Sequence, residues 1–164
     1  MQKIHLTSEQ LLESMYFIAK RAKLLNADAV VAIERGGLPL AIFLSAYLNL
    51  PLERIKVSFY KDIEKQSKPF VDLKGFDIDT YDKPLFVDDL VDSGDTLKYI
   101  KETYGNVPYV TIYSTDTNQP DIFHLNKHKD EWIIFPWDAA DDGFDWEYAE
   151  MGWWKNLSVD LSKK

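Results

Sequence analysis

The sequence predicts an α/β fold in which helices flank a central, mostly parallel β-sheet. Short apolar runs rich in β-branched and aromatic residues recur at 29–33, 85–87 and 107–113. Segments with the apolar spacing of amphipathic helices separate these runs. Runs that are apolar throughout are typical of strands buried on both faces of a parallel sheet, and their alternation with helices favours parallel order.

Length and composition predict a single globular domain, residues 1–164. Hydrophobic residues make up 46% of the chain and charged residues 28%, which are ordinary values for a folded domain. No apolar stretch is long enough to cross a membrane, and the first residues carry no signal-like apolar region. We therefore expect a cytoplasmic protein with no membrane partner. The absence of cysteine excludes disulfides and thiolate catalysis.

Negative charge is concentrated towards the C-terminus of a chain whose formal net charge is −8. Residues 130–151 contain eight carboxylates and neither lysine nor arginine. Such a surface repels phosphate backbones, so the sequence argues against a nucleic-acid partner. A polyanionic substrate must then be held by local loops and by a cation.

The first helix is predicted to begin at Thr7 or one residue later, because Thr7 and Gln10 have the spacing of a capping box. Apolar residues continue it at intervals of three and four: Leu11, Met15, Ile18, Ala22 and Leu25. The strand predicted at 29–33 ends in Glu34-Arg35-Gly36-Gly37, and Pro39 lies in the first turn of the next helix. Arg-Gly-Gly before a helix is, by itself, equally consistent with a plain tight turn.

The segment between this helix and the central strand predicts a hairpin. Residues 54–60 alternate polar with apolar side chains, as a strand does. Residues 61–69 are mostly polar, carry three lysines and show no apolar period, so they predict a solvated loop. Residues 70–78 predict one or two short strands that complete the hairpin.

The most informative stretch runs from Pro84 to Thr96. The apolar run 85–87 leads into an acid pair, and the small polar turn 92–96 leads into a helix that ends at Gly105. Ligands of parallel α/β sheets bind at the carboxyl ends of the strands, where a helix N-terminus offers N–H donors to an anion. Gly94 permits close approach of the backbone to a phosphate. An Asp-rich turn that only caps the helix is the alternative.

Two carboxylates beside a phosphate site repel the phosphate unless they bind hydroxyl groups or a metal. A ribose 5-phosphate meets this requirement, because its vicinal hydroxyls donate to Asp88 and Asp89 while the loop holds its phosphate. The thirteen residues from Pro84 to Thr96 strongly resemble the phosphoribosyl-pyrophosphate (PRPP) signature of type I phosphoribosyltransferases.

That resemblance implies the type I phosphoribosyltransferase fold and a role for each residue of the signature. Asp88 and Asp89 would hold the ribose hydroxyls, and Asp89 would also hold a water-coordinated Mg²⁺. Asp92 would act as the general base that accepts a proton from the purine. The 5-phosphate would be bound by Ser93, Gly94, Asp95 and Thr96.

Two further features follow from the resemblance. The loop after the first sheet strand binds pyrophosphate in this family, a role that falls here on Arg35, Gly36 and Gly37, with a cis peptide bond expected between Arg35 and Gly36. A mobile lid hairpin is implied at about 60–72. It begins in relatives with a Ser-Tyr pair, of which Tyr60 is kept while Phe59 replaces the serine.

Residues 131–138 resemble a stretch of bacterial xanthine–guanine phosphoribosyltransferases, within a small C-terminal hood at about 114–154. In those enzymes the first tryptophan of the stretch stacks on the purine, and the backbone of the following residue contacts the edge of the purine. The corresponding residues here are Trp132 and Ile133. Trp137 is predicted to pack in the core. A lysine that usually contacts the 6-oxo group aligns with Thr115, and no Lys or Arg occurs in 102–126. We therefore expect weakened or altered selectivity among the bases.

The sequence thus predicts an enzyme that transfers phosphoribose from PRPP to a purine base and releases pyrophosphate, with Mg²⁺ as cofactor. Guanine, xanthine or hypoxanthine is favoured as substrate, with adenine or another base as the alternative. A homodimer or homotetramer is expected. Two other classes stay open: a non-catalytic regulatory homologue that binds PRPP or a nucleotide, and a generic phosphate-binding α/β domain.

Overall fold

The computed structural model describes residues 1–61 and 67–138. Its helices are α1 (Ser8–Ala22), α2 (Leu38–Leu48) and α3 (Asp95–Tyr104), with single 3-10 turns at Lys23–Leu25 and Ile78–Thr80. Its strands are β1 (Gln2–His5), β2 (Ala29–Glu34), β3 (Leu52–Lys61), β4 (Ser67–Asp72), β5 (Pro84–Val87), β6 (Leu90–Val91), β7 (Tyr109–Val110), β8 (Tyr113–Ser114), β9 (Leu125–Asn126) and β10 (Glu131–Ile134).

Five strands form the central sheet in the order β4-β3-β2-β5-β7. All its pairings are parallel except that of β3 with β4. The predicted α/β fold with a mostly parallel sheet is confirmed. Parallel order brings the carboxyl ends of β2, β3, β5 and β7 to one edge, and the predicted site residues follow β2 and β5 there.

Both faces of the sheet are covered, because alternate residues of each strand point to opposite sides. Helices α1 and α2 pack on one face, against a cluster that includes Val30 and Leu85. Helix α3 packs on the other face, where Leu97 and Ile100 join a cluster that includes Phe86. This two-sided burial explains why the central strands are apolar throughout.

The helix signals correspond to observed helices. Thr7 caps α1, its hydroxyl accepting from Gln10 N at 3.2 Å while the Gln10 side chain accepts from Thr7 N at 3.1 Å. Proline lies in the first turn of α2, as predicted. Helix α3 ends at Gly105, whose φ of 79° suits glycine.

Two strand predictions need correction. The single strand predicted at 107–113 is wrong, because β7 belongs to the central sheet and β8 to a three-stranded parallel sheet, β6-β8-β9. The chain changes sheets at Ile112 and Tyr113, whose N–H groups both donate to the Asp89 carbonyl, at 2.9 and 3.1 Å. Of the one or two short strands predicted within 70–78, the structure has only the end of β4, which stops at Asp72 because Lys74 and Gly75 turn the chain with positive φ values.

The hairpin predicted before the central strand is formed by β3 and β4, which pair antiparallel from Lys56 opposite Asp72 to Lys61 opposite Ser67. The predicted lid falls at this hairpin. Its tip, 62–66, and the side chain of Tyr60 lie outside the described residues, as does the predicted hood beyond residue 138. Among the helices that the structure describes, none has the length and apolar character needed to cross a bilayer.

Candidate active site

The acid pair lies where β5 ends, at the carboxyl edge of the central sheet. Asp88 is held on both oxygens: Oδ1 accepts from Asp89 N at 3.0 Å, and Oδ2 accepts from the hydroxyl of the fully buried Tyr109 at 3.0 Å. Asp89 is held on one side, its Oδ1 accepting from Leu90 N at 2.7 Å. The two side chains therefore have different surroundings although they are adjacent in sequence.

Burial and crowding make this pair hard to ionise in the protein without a cation. Burial raises the pKa of Asp88 well above its usual range, and the neighbouring charge of Asp89 raises it further. Burial also raises the pKa of Asp89 to about 6, and the charge of Asp138 adds to this effect. A cation placed at this site would stabilise the ionised carboxylates.

The glycine loop after β2 packs directly against the acid pair. A Cβ on Gly36 would overlap the Asp89 carboxylate, and a Cβ on Gly37 would come within 2.8 Å of the Asp88 Cα. Side chains are therefore excluded at both positions by the close approach of the two loops. The exposed Arg35 lies beside them.

The expected cis peptide bond is found one position earlier than predicted. It joins Glu34 to Arg35, because the chain turns at the last residue of β2 rather than at the first glycine. Glu34 itself, a carboxylate next to a predicted pyrophosphate loop, pairs with Arg54 of the neighbouring strand at 3.3 Å. That pairing gives its charge a partner within the protein.

The predicted phosphate loop leads into α3. Gly94 begins this helix with φ of 85°, and the first helical N–H, that of Asp95, donates to the Ser93 hydroxyl at the long distance of 3.4 Å. A pocket at this point is lined by Tyr109 and by residues 91–97, which include Ser93, Asp95 and Thr96. Asn118 braces the loop, its Nδ2 donating to the Ser93 carbonyl at 3.0 Å. Open N–H donors at a helix N-terminus suit a phosphate.

Sequence reasoning missed Lys127, which the fold brings to Asp92. Its Nζ donates to Asp92 Oδ1 at 2.9 Å, and its side chain is only 5% exposed. Thr115 lies beside it: Lys127 N donates to the Ser114 carbonyl, which continues the parallel pairing of β8 with β9. The sequence argument considered only residues 102–126, so it did not find this cation, which comes from the next segment of the chain.

The two tryptophans of 131–138 have opposite surroundings. Trp132 is 54% exposed on β10, whereas its neighbour Ile133 is buried. Trp137 packs against the core and stacks on Phe135, with ring centroids 4.8 Å apart. The predicted core role of Trp137 fits this packing, and an exposed indole at 132 leaves a free aromatic face.

The carboxylates of the acid pair fit a Mg²⁺ ion whose remaining ligands are water and phosphate. Mg²⁺ is commonly held by one or two carboxylates together with water and substrate phosphates. Within residues 1–61 and 67–138, no set of three or more His, Asp or Glu side chains is arranged to hold a metal by itself. Asp89, with its raised pKa, fits a cation that arrives with a polyphosphate.

Comparison with known proteins identifies the family of this chain. Residues 6–142 match the phosphoribosyl transferase domain. Xanthine-guanine phosphoribosyltransferases from Desulfotalea psychrophila and Ruegeria sp. are 35% and 31% identical, covering 71% and 83% of this chain and 76% and 85% of their own length.

A solved structure also matches closely. The crystal structure of a purine phosphoribosyltransferase from Pyrococcus horikoshii is similar with a TM-score of 0.74 and 28% identity, covering 84% of this chain and 95% of that one. The matched family region contains the glycine loop, the acid pair and the phosphate loop. The chain therefore belongs to the phosphoribosyltransferase family.

Proposed function

We propose that this enzyme, a purine phosphoribosyltransferase, transfers phosphoribose from PRPP to guanine, xanthine or hypoxanthine and depends on Mg²⁺. The observation that carries the proposal is the meeting of three elements at one edge of the sheet: the glycine loop packs on the acid pair, and Tyr109 contacts Asp88 and lines the pocket at the start of α3. The names of the similar enzymes support a purine as acceptor.

In the proposed reaction, the bond between the anomeric carbon of ribose and a pyrophosphate oxygen breaks, and a bond from a purine ring nitrogen to that carbon forms. Pyrophosphate leaves with the bonding electrons, and the ring nitrogen loses its proton. When bound, Mg²⁺ would neutralise the charge that develops on pyrophosphate. Asp89 would hold it, while Arg35 and the N–H groups at Gly36 and Gly37 would bind the pyrophosphate.

The remaining contacts to PRPP fall on the acid pair and the phosphate loop. Asp88 and Asp89 would accept from the ribose hydroxyls, as positively charged character builds at the anomeric carbon. The N–H groups and hydroxyls of 93–96 would hold the 5-phosphate. Since Asp88 is already fixed by Tyr109, it would present a pre-oriented oxygen to the ribose.

Asp92 is the proposed general base. Its side chain is exposed at the mouth of the phosphate loop, so the carboxylate can reach a bound purine. The contact with Lys127, at 2.9 Å, holds this carboxylate in place beside the predicted purine site. The exposed face of Trp132 would stack on the purine, and the backbone at Ile133 would meet the purine edge.

The lid at about 60–72, with Tyr60, would close over the reaction and exclude water. We also propose a cytoplasmic homodimer or homotetramer that binds neither nucleic acid nor membrane. These proposals, like the substrate assignment, are based on the resemblance to type I phosphoribosyltransferases. Sedimentation at micromolar concentration tests the oligomeric state.

The test is formation of nucleotide from PRPP and a panel of bases, with and without Mg²⁺. We expect turnover with 6-oxopurines that requires the metal. Asp89→Asn should abolish turnover, while Asp82→Asn, an exposed acid before the opposite end of β5, should leave it unchanged. Turnover by Asp89→Asn at the wild-type rate, or by the wild type with no base, would refute the proposal.

A further inference from the structure

The ammonium group of Lys127 lies against the predicted base site without belonging to any motif of the sequence. Its stem is buried, and its Nζ donates to Asp92 Oδ1 at 2.9 Å and to the His128 carbonyl at 3.5 Å. An ammonium has three donors and no acceptor. The described residues take two of those donors, so one is left for a ligand.

Lys127 precedes Trp132 by five residues in the chain. Lys127 and Trp132 flank a tight turn in which His128 N donates to Glu131 Oε2 at 2.8 Å and Glu131 N donates to the His128 carbonyl at 3.1 Å. These hydrogen bonds hold the backbone between Lys127 and Trp132 in one conformation. A purine within reach of Asp92 would meet the ammonium, because Lys127 Nζ lies 2.9 Å from that carboxylate.

The neutral side chains nearby each donate to a backbone carbonyl of the protein. The Thr115 hydroxyl donates to the Asp92 carbonyl at 3.2 Å, which takes its only hydrogen. Asn118 donates to the Ser93 carbonyl, and its amide also carries an acceptor oxygen. Neither group distinguishes an oxygen from an amino group as strongly as a cation that can only donate.

We propose that Lys127 selects purines that carry an oxygen at C6, its ammonium donating to that oxygen. Adenine presents an amino group at the same place, and two donors facing each other leave both unpaired at a buried site. This inference rests on the proposed function, because the purine is placed by Trp132 and Asp92. It deepens that function by naming the residue that sets the substrate class.

The test compares hypoxanthine with adenine in the wild type, Lys127→Met and Lys127→Gln. Methionine keeps the length of the stem without a donor, and glutamine both donates and accepts. The ratio of kcat/KM for hypoxanthine to that for adenine should fall roughly 10- to 100-fold in both variants. Lys129→Met, an exposed lysine two residues away, is the matched control and should keep the wild-type ratio.

Two outcomes would overturn the proposal. An equal loss for both bases, with an unchanged ratio, would show that Lys127 serves only to position Asp92. A wild-type ratio near one would show that the ammonium does not select. Binding of IMP and AMP, measured by calorimetry, gives the same comparison without turnover, so the role of Lys127 is tested even if no transfer occurs. Should the methionine variant fail to fold, the glutamine variant supplies the ratio.

Discussion

Gly36 lies so close to the Asp89 carboxylate that a methyl group at this position would overlap it. The contact joins the loop after β2 to the loop after β5, and it fixes where the predicted pyrophosphate site meets the predicted metal site. Shape as well as charge therefore defines the site, because neither loop has room to accept a side chain there.

The first prediction is that Gly36→Ala strongly reduces the rate of turnover while the protein still folds. The added methyl group must displace the Asp89 carboxylate, and misplacement of about 1 Å can cost roughly 100-fold in rate. The measurement is kcat/KM for PRPP. Gly75→Ala is the control: it has φ of 85° and open space around it, so it should lose about 1 kcal/mol of stability but no activity. Equal loss of activity in both variants would contradict the steric argument.

The second prediction concerns pH and the free energy of unfolding without metal. The pKa of Asp89 is raised from 3.8 to about 6, so the folded protein binds a proton that the unfolded chain has released between these values. Stability must then fall as pH rises through this window, and the penalty is complete above about pH 6. Asp89→Asn removes it and should be about 1–3 kcal/mol more stable than the wild type at pH 8, but not at pH 3.

Urea unfolding at the two pH values checks this prediction. Added Mg²⁺ should reduce the difference in free energy of unfolding between the wild type and Asp89→Asn at pH 8. The reason is that a cation stabilises the ionised acid pair only where Asp89 is present. Asp82→Asn, which lies outside the site, should show no gain at either pH. Identical pH dependence in the wild type and Asp89→Asn would contradict the raised pKa.

Local sequence signals were enough to predict the central architecture. These signals are the apolar runs, the Thr7 capping box and the placement of Pro39, and each depends on residues within a few positions of one another. Such local preferences predict the folded structure when the tertiary contacts are consistent with them. The placement of residues 88–96 between β5 and α3 was predictable for the same reason, since they form one continuous stretch at the end of a strand.

Contacts between distant segments were not predictable in this way. Lys127 reaches Asp92 only because β9 pairs with β8, and two-residue strands leave no periodic signal. The pairing of β1 with β10, which joins the first residues to the segment with Trp132, was missed because these two four-residue strands are far apart in the sequence. The sheet change after β7 depends on hydrogen bonds to the Asp89 carbonyl, which no local pattern shows.

The third prediction contrasts the two tryptophans. Trp132→Ala should change the free energy of unfolding by no more than about 0.5 kcal/mol, because the indole is largely exposed. It should weaken base binding by roughly 10-fold or more through loss of stacking. Trp137→Ala should instead cost about 3 kcal/mol of stability, because Trp137 packs on Phe135 and the core. Denaturation and base titration of both variants distinguish the roles; a reversed pattern would contradict the assignment.

The last prediction is that Asp92→Asn lowers kcat by roughly 10²- to 10⁴-fold with little change in the affinity for PRPP. An amide cannot accept the purine proton, but it keeps the shape of the phosphate loop and still accepts a hydrogen bond from Lys127. Asp95→Asn is the matched control, since Asp95 is an exposed acid of the same loop that contacts the Ser93 hydroxyl at 3.0 Å. It should affect the binding of the 5-phosphate more than kcat. Single-turnover rates at saturating PRPP separate the two effects, and a loss below about tenfold in Asp92→Asn would exclude this carboxylate as the base.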